Sequence, residues 1–444
     1  MFKMEVKSIF TIQKLFMVLE IFSFSMLWPY LARHFSYIEM LSGFVVLYAA
    51  PLIFIFFSKR IATKGFMLFA FIARYICILI FFVKPVLWIM YLFFFLKGIG
   101  IFFFWVPYNI RYFTFSHRMN RATSAGHFII VGPILNLFIP ISSAFVITRF
   151  GYPVLALISF IVLIVLLKRA SQLPNFEVKY SFWDAFSKSK GLRTLKFLQG
   201  VWEGGTIMIP LFTLFFLKNE MAFGSFLSYL GLICIIATLF VTRFSDKQHK
   251  RMKFFFPLLV FLTLFTFSLA FADSLFKWVF VNALLGIAST LTYPFLYAIL
   301  LDKIEDKSIA MITREFMINA GRVTGIAGII IFGYLGLHLR HAFIFIGLSL
   351  VAYLVLLLWK GVYVEEAYYP LAPVAKVYDR SKNLVFKVYA WGKIVKIKEG
   401  AKIVRARLYT GTKWVGVSLR RISTIAGNKL ARGKTSHLFR KIRD

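Results

Sequence analysis

Two carboxylates lie inside apolar stretches of this 444-residue sequence. Glu20 interrupts LFMVLEIFSFSMLWPYL at residues 15–31, and Glu203 lies in GVWEGGTIMIP. A charged side chain in a lipid-embedded helix costs about 2.5 kcal/mol or more, so each residue is a functional hypothesis by default. Desolvation favours the neutral acid, so each carboxyl group can take up and release a proton. The alternative is an ion pair that holds helices in register.

A stripe of polar residues runs along a later apolar segment. In ITREFMINAGRVTGIAG, Glu315, Asn319 and Arg322 are spaced i, i+4 and i+7, which places them on one face of a helix. Arg322 is positioned to bind an anionic group, or to pair with Glu203 or Glu315. The stripe therefore either lines a pathway or forms a structural ion pair.

Long apolar runs must carry these residues. The chain is 60% hydrophobic, with 55 phenylalanines and a mean hydropathy of +0.78, whereas soluble chains are about half apolar. A helix needs roughly 20 apolar residues to cross a bilayer, and these runs are continuous instead of alternating. The sequence therefore predicts an all-α integral membrane protein with twelve transmembrane helices. The runs are 15–33, 40–57, 65–83, 87–110, 125–147, 152–167, 197–217, 222–242, 254–272, 276–300, 311–336 and 341–359.

The net charge of +35 is concentrated in alternate loops. Lys and Arg are enriched in cytoplasmic loops of membrane proteins, so the basic set, which includes the run from Lys168 to Lys196 and ends at Arg314, is assigned to the cytoplasm. Both termini are then cytoplasmic, in a multi-pass protein of the plasma membrane. Cys77 and Cys234 lie inside predicted spans, which favours reduced apolar side chains over a disulfide or a metal site.

The charge pattern also divides the chain into four parts. They are an N-terminal six-helix bundle (1–169), a cytoplasmic linker (170–195), a C-terminal six-helix bundle (196–360) and a basic cytoplasmic tail (361–444). Residues 360–444 hold 20 Lys and Arg against five acids, a charge of 20 − 5 = +15. Such a tail is expected to bind anionic lipid head groups. A small β module and RNA binding are the alternatives, and no nucleic-acid partner is expected.

Several landmarks recur in the same order in both halves. Glu20 and Glu203 stand 203 − 20 = 183 residues apart, and Gly98 and Gly286 stand 286 − 98 = 188 apart. Nearly equal offsets indicate an internal repeat. Because each repeat has an even number of predicted spans, the two halves should be parallel.

Short motifs connect this repeat to a known family. Ser58-Lys59-Arg60 and TRFSDKQHKR occupy the loop after the second span of each half, and Gly98, Gly100 and the Gly132-Pro133 pair lie in spans four and five. With these motifs, about residues 8–360 resemble the major facilitator superfamily, which has two parallel halves and a midplane site. The resemblance implies a gating loop formed by Lys59, Arg60, Asp246, Lys247 and Arg251.

The resemblance also implies where a solute passes. In that family the first and seventh helices face a central cavity, so Glu20 and Glu203 are predicted to carry the coupling proton. Arg74 lies on a supporting helix and is interpreted as a structural ion-pair partner. The predicted substrate pathway consists of Trp28, Lys97, Tyr108, Asn136, Trp202, Asn282, Tyr293, Glu315, Asn319 and Arg322.

The predicted function is secondary transport of a small organic solute by alternating access, coupled to protons. Many aromatics and few hydrogen-bonding side chains on the cavity helices favour efflux of an amphipathic solute. The alternative is proton-coupled uptake of a small polar or anionic nutrient, read by Arg322 and Lys97. A scaffold, a lipid scramblase and a membrane transferase are weaker alternatives, since the sequence lacks the motifs of a transferase. The expected partners are the bilayer and the solute, with no cofactor or metal beyond the proton gradient, for a monomer.

Overall fold

The structure is a computed structural model that describes residues 2–114, 121–248, 251–304 and 306–359. Almost all of these residues are helical. The helices are α1 (Phe2–Phe24), α2 (Leu27–Ala32), α3 (Tyr37–Phe57), α4 (Thr63–Ile78), α5 (Leu87–Thr114), α6 (Arg121–Ser171), α7 (Phe182–Lys188), α8 (Arg193–Gly205), α9 (Met208–Phe216), α10 (Glu220–Gln248), α11 (Arg251–Ser268), α12 (Leu275–Lys303), α13 (Lys307–Tyr334) and α14 (Ala342–Trp359).

Nine helical segments in this described part of the chain are long and apolar enough to cross a membrane. Three of the twelve predicted runs are not separate membrane-spanning helices in the structure, because the helices begin and end at other residues. The run 65–83 lies mostly in α4, which has only 16 residues. The run 197–217 is divided between α8 and α9, and the runs 125–147 and 152–167 share α6. An integral multi-pass membrane protein is supported, while the count of twelve spans stays a prediction.

Local backbone chemistry explains where the helices bend and end. Gly151 has a φ of +79°, a conformation that glycine adopts without steric cost, and it kinks α6 between its two apolar runs. Gly336, with a φ of +69°, follows the end of α13, where the Leu337 N–H donates to the Phe332 carbonyl at 3.1 Å. At the start of α3, Ser36 and Glu39 form a capping box.

The two halves meet mainly along two helix pairs, with further contacts of α6 on α12 and of α5 on α13. Here the first half is residues 2–171 and the second half is residues 193–359. Within the first half α1 packs on α6, and α5 packs on α3 and α4; within the second, α8 packs on α13 and α14. Between halves, α6 packs on α10 and α3 packs on α13. Glycines permit the first contact, since a Cβ on Gly231 would lie 2.7 Å from the Asn136 backbone.

The segment between the halves is bound to both of them. Strand β1 (Arg60–Ala62) pairs antiparallel with strand β2 (Glu177–Lys179), which adds one small sheet to the predicted all-α fold. The helix α7 then reaches the second half. Its Ala185 carbonyl accepts from Thr313 at 3.0 Å, and the Phe182 ring lies 4.8 Å from that of Phe316.

The predicted gating loop is described only in its first copy. Lys59 is exposed and its carbonyl accepts from the Tyr180 N–H at 3.1 Å, while Arg60 lies 3.5 Å from Glu177. The loop after α3 is therefore held by the linker. In the second copy, the side chains of Asp246, Lys247 and Arg251 lie outside the described residues, as does the basic tail at 361–444.

The outer ends of the halves also touch, at the side predicted to face away from the cytoplasm. Arg33, which follows α2, forms an ion pair with Glu220 at the start of α10. Close by, the rings of Tyr37 and Phe215 are 4.8 Å apart. These contacts join the first and second halves near the beginning of α3 and the end of α9.

Candidate functional site

A buried ion pair joins two helices of the second half. Arg322 on α13 donates from Nε to Glu203 Oε2 at 3.0 Å and donates a second bond from Nη2. The other oxygen, Oε1, accepts from the Gln199 amide at 2.8 Å. The Glu203 side chain is 4% exposed and that of Arg322 is 20% exposed. The carboxylate is therefore held by three donors, and about a fifth of the Arg322 side chain remains accessible.

Glycines set the distance between these two helices. A Cβ on Gly204 would lie 2.8 Å from the Arg322 Cα, and one on Gly200 would lie 2.2 Å from the Ile318 carbonyl oxygen. Neither contact is tolerated by a larger residue without displacement of the backbone. The small residues of α8 thus allow the close approach that lets Arg322 reach Glu203.

A lysine continues the polar row along α8. Lys196, Gln199 and Glu203 are spaced i, i+3 and i+7, which places them on one helix face. Lys196 Nζ donates to Gln199 Oε1 at 3.0 Å and to the Leu296 carbonyl of α12 at 2.8 Å. The Gln199 amide therefore connects the lysine to the Glu203–Arg322 pair. On α13, Asn319 accepts from Arg322 Nη1 at 3.2 Å.

This group of charges touches both halves. The Arg322 guanidinium carbon lies 4.9 Å from the ring centre of Tyr48, which is on α3 of the first half. The Tyr293 ring on α12 lies 5.9 Å from the Trp202 ring on α8. Nearer the start of α13, Arg314 pairs with Glu315 and lies 4.2 Å from the ring of Tyr297. We call Lys196, Glu203, Arg314, Glu315 and Arg322 the second-half cluster.

A second group of charges lies inside the first half. Glu20 on α1 forms ion pairs with Arg74 on α4 and, at 3.2 Å, with Lys97 on α5. The Arg74 side chain is fully buried and its Nη1 also donates to the Lys97 carbonyl at 2.8 Å. Gly100 makes room for it, since a Cβ there would lie 3.2 Å from the guanidinium. We call Glu20, Arg74 and Lys97 the first-half cluster.

The two clusters carry a surplus of positive charge. Five cations (Arg74, Lys97, Lys196, Arg314 and Arg322) stand against three carboxylates (Glu20, Glu203 and Glu315), a net charge of 5 − 3 = +2. Charge in a low-dielectric interior is costly unless an opposite charge compensates it. Each cluster contributes one of the two surplus charges (2 − 1 = +1 and 3 − 2 = +1), and the second-half cluster is the one that touches the other half.

The other predicted pathway residues lie at separate positions among the packed helices. Tyr108 is buried and donates to Gln13 at 2.7 Å, and Asn282 is buried and donates to the Trp278 carbonyl of its own helix at 2.7 Å. Trp28 stacks on Phe44 with ring centres 4.6 Å apart. Asn136 lies on α6 where Gly231 of α10 approaches. Trp28, Asn136 and Asn282 are not members of either cluster, and Tyr108 interacts with Tyr297, the ring beside Arg314.

Lys196 and Gln199 of α8 were not identified as site residues from the sequence, and Arg314 of α13 was placed in a loop. Lys196 and Arg314 were assigned to cytoplasmic loops, but both are buried within helices. Gln199 was not singled out. The spacing of Lys196, Gln199 and Glu203 was a usable signal, because a basic residue three and seven positions before polar ones shares their helix face.

No group of three metal-ligating side chains that could hold an ion occurs in the described part of the chain. The site residues present are instead ion pairs, amides and aromatic rings. A bundle of apolar helices with charged clusters at its interior and at the seam of two halves defines a membrane transporter.

The sequence matches the Major Facilitator Superfamily over residues 11–325, and the chain belongs to that family. The predicted family is confirmed, and with it that the protein is a transporter and not an enzyme.

Solved structures show the same fold. The crystal structure of the human organic anion transporter MFSD10 (TETRAN) is similar with a TM-score of 0.59 and 12% sequence identity, covering 79% of this chain and 99% of that chain. The crystal structure of the nucleoside transporter NupG is similar with a TM-score of 0.54 and 14% identity, covering 80% of this chain and 98% of that chain. The search of curated proteins gives no match.

Proposed function

We propose that this chain is a secondary active transporter that carries a small organic anion together with a proton by alternating access. The surplus charge of the two clusters is the observation on which the proposal rests. A net charge of 5 − 3 = +2 inside an apolar helical protein favours a ligand that supplies the missing negative charge. An anion satisfies that requirement, and a neutral or cationic solute does not.

The place where the anion binds is inferred from the accessible part of Arg322. Its guanidinium donates to Glu203 from Nε and Nη2 and to Asn319 from Nη1, and 20% of its side chain remains exposed. Arginine presents its donors in a planar fork that matches a carboxylate or phosphate. Tyr48 of the first half lies against the same guanidinium. An anion bound there contacts both halves, as alternating access requires of a solute.

The sign of the charge also favours one form of coupling between proton and solute. Each proton that enters the interior makes it more positive and strengthens its attraction for an anion. By thermodynamic linkage the anion strengthens proton binding by the same factor. Proton and anion then move in the same direction, which favours the uptake alternative over efflux.

A neutral amphipathic solute is the second candidate, because of the aromatic side chains around Arg322. Tyr48, Trp202 and Tyr293 all lie near the second-half cluster. Aromatic faces with few hydrogen-bonding groups suit the efflux predicted from the sequence. This candidate leaves the positive surplus without a counter-charge. In this second candidate the coupling proton is carried by Glu20 and Glu203, as the sequence predicts.

The full-length protein in proteoliposomes provides the test. Uptake of radiolabelled benzoate, succinate, uridine and tetraphenylphosphonium is measured with an inward proton gradient. This set compares two anions with a neutral nucleoside and a cation. At least one anion should accumulate above protein-free vesicles. Arg322→Lys should slow that accumulation about tenfold or more, because it loses the planar fork. Lys277→Gln, which removes an exposed lysine, is the matched control. Accumulation of uridine or of the cation with no anion uptake would contradict the proposal.

A further inference from the structure

Lys196 is a buried lysine whose hydrogen-bond acceptors are both neutral. Its side chain is among the largest fully buried ones, with a relative exposure of 1%. Nζ donates to the Gln199 amide oxygen at 3.0 Å and to the Leu296 carbonyl oxygen at 2.8 Å. None of the described carboxylates lies within ion-pair distance of it. A buried ammonium held in this way lacks the counter-charge that ordinarily keeps a lysine charged.

The other cations of the two clusters are in a different situation. Arg74, Arg314 and Arg322 are guanidinium groups, which keep their protons in proteins. Lys97 is bonded directly to the carboxylate of Glu20. Glu203 receives donors from Arg322 and Gln199, which hold it as a carboxylate. Among these groups Lys196 is the one that can lose its charge without breaking an ion pair.

Charged and titratable groups face Lys196 from each element packed around it. On its own helix Glu203 lies beyond Gln199. On α13 the nearest charges are Arg314 and Glu315, which are paired with each other. On α12 Tyr297 follows Leu296, the residue whose carbonyl accepts from Nζ. The one titratable residue of α14, which also packs on α8, is a buried tyrosine.

We infer that Lys196 is the residue that binds and releases the coupling proton, an inference that rests on the proton coupling in the proposed function. In the release step one Nζ–H bond breaks, the proton passes to a water molecule on the open side, and the electron pair stays on Nζ. Uptake of a proton reverses the step. The lysine touches the substrate site only through Gln199 and Glu203, so it acts on the anion through the charge of the cluster.

Loss of the Lys196 proton changes the net charge of the second-half cluster. With Lys196 charged, the second-half cluster holds three cations and two carboxylates, a net charge of 3 − 2 = +1. With Lys196 neutral the same cluster has a net charge of 2 − 2 = 0. An anion next to Arg322 is therefore attracted in the protonated state and released more readily after the proton leaves. This is the switch that joint movement of proton and anion needs.

Spin-label distances provide a test that needs no substrate. Labels are attached to cysteines at His34 and Lys218, two exposed positions beside the Arg33–Glu220 pair at the outer end of the halves. The full chain, with Cys77→Ala and Cys234→Ala, is reconstituted in nanodiscs. Distance distributions are recorded from pH 6 to pH 9 for this protein, Lys196→Met and Lys196→Arg. The control is Lys188→Met, a change at an exposed lysine of α7.

In the parent protein and in Lys188→Met, the ratio of the two distance populations should change with pH, by up to about tenfold per pH unit for one proton. Lys196→Met should remain close to the distribution seen at high pH, and Lys196→Arg close to that seen at low pH. A parent response that survives unchanged in both Lys196 variants overturns the inference and leaves the coupling proton to another residue, such as Glu20. A parent distribution that does not respond to pH overturns the inference and removes proton coupling from the proposed function as well.

Discussion

The substitution Glu203→Gln tests the ion pair at the centre of the second-half cluster. Glutamine keeps the shape of the side chain but removes the charge that Arg322 faces through two hydrogen bonds. Removal of one member of a buried ion pair costs about 3–5 kcal/mol. Because 20% of the Arg322 side chain is exposed and water can partly solvate it, we expect the low end of this range, about 3 kcal/mol.

The effect is measurable as thermal unfolding of the purified full-length protein. For a chain of this size one kcal/mol corresponds to about 2 °C, so the midpoint should fall by about 6 °C. The double variant Glu203→Gln/Arg322→Gln removes both charges and should recover most of that loss. Asp184→Asn, which breaks an exposed pair with Lys188, is the control and should shift the midpoint by about 1 °C or less. A Glu203→Gln protein as stable as the parent would refute the reasoning, because Arg322 would then need no counter-charge.

Two further predictions concern the helices that hold the clusters. Gly200→Ala should lower the unfolding midpoint by several degrees, since its Cβ would lie 2.2 Å from the Ile318 carbonyl oxygen. The control Gly191→Ala, whose Cβ meets nothing within 4 Å, should leave the midpoint unchanged. Equal midpoints for the two variants would mean that α8 and α13 tolerate separation. Glu20→Gln should destabilise more than Lys97→Met in the same assay, because the first leaves two cations without a carboxylate and the second leaves the Arg74–Glu20 pair intact. The reverse order would contradict the first-half cluster.

The amino-acid sequence was sufficient for the class of fold, because apolar run length and charged loops are direct consequences of a bilayer. Lengths near 20 residues and the alternation of basic loops are local properties that do not depend on tertiary contacts. The division of the apolar runs into separate helices was harder to predict from the sequence. The kink at Gly151 has a local cause, its positive φ, and lies between the predicted runs 125–147 and 152–167, whereas the break between Gly205 and Met208 falls inside the predicted run 197–217.

The candidate site was predicted in part. The spacing of Glu315, Asn319 and Arg322 marked a polar face, yet the partner of Arg322 was left open between Glu203 and Glu315. Only the close approach of α8 and α13, permitted by their glycines, selects Glu203. Lys196 was counted with the cytoplasmic lysines because it precedes the apolar run by one residue. Its burial depends on α12 and α13, which are about 100 residues away in the sequence.

The direction of proton movement during solute transport tests the central claim most directly. Proteoliposomes that contain the full-length protein and an internal pH dye receive an inward gradient of a transported anion that does not cross protein-free vesicles, such as succinate, with no initial pH difference. The positive interior predicts that the lumen acidifies as the transported anion enters, and that Lys196→Met abolishes the acidification. Alkalinisation of the lumen, or anion entry with no proton movement in the parent protein, would contradict the account.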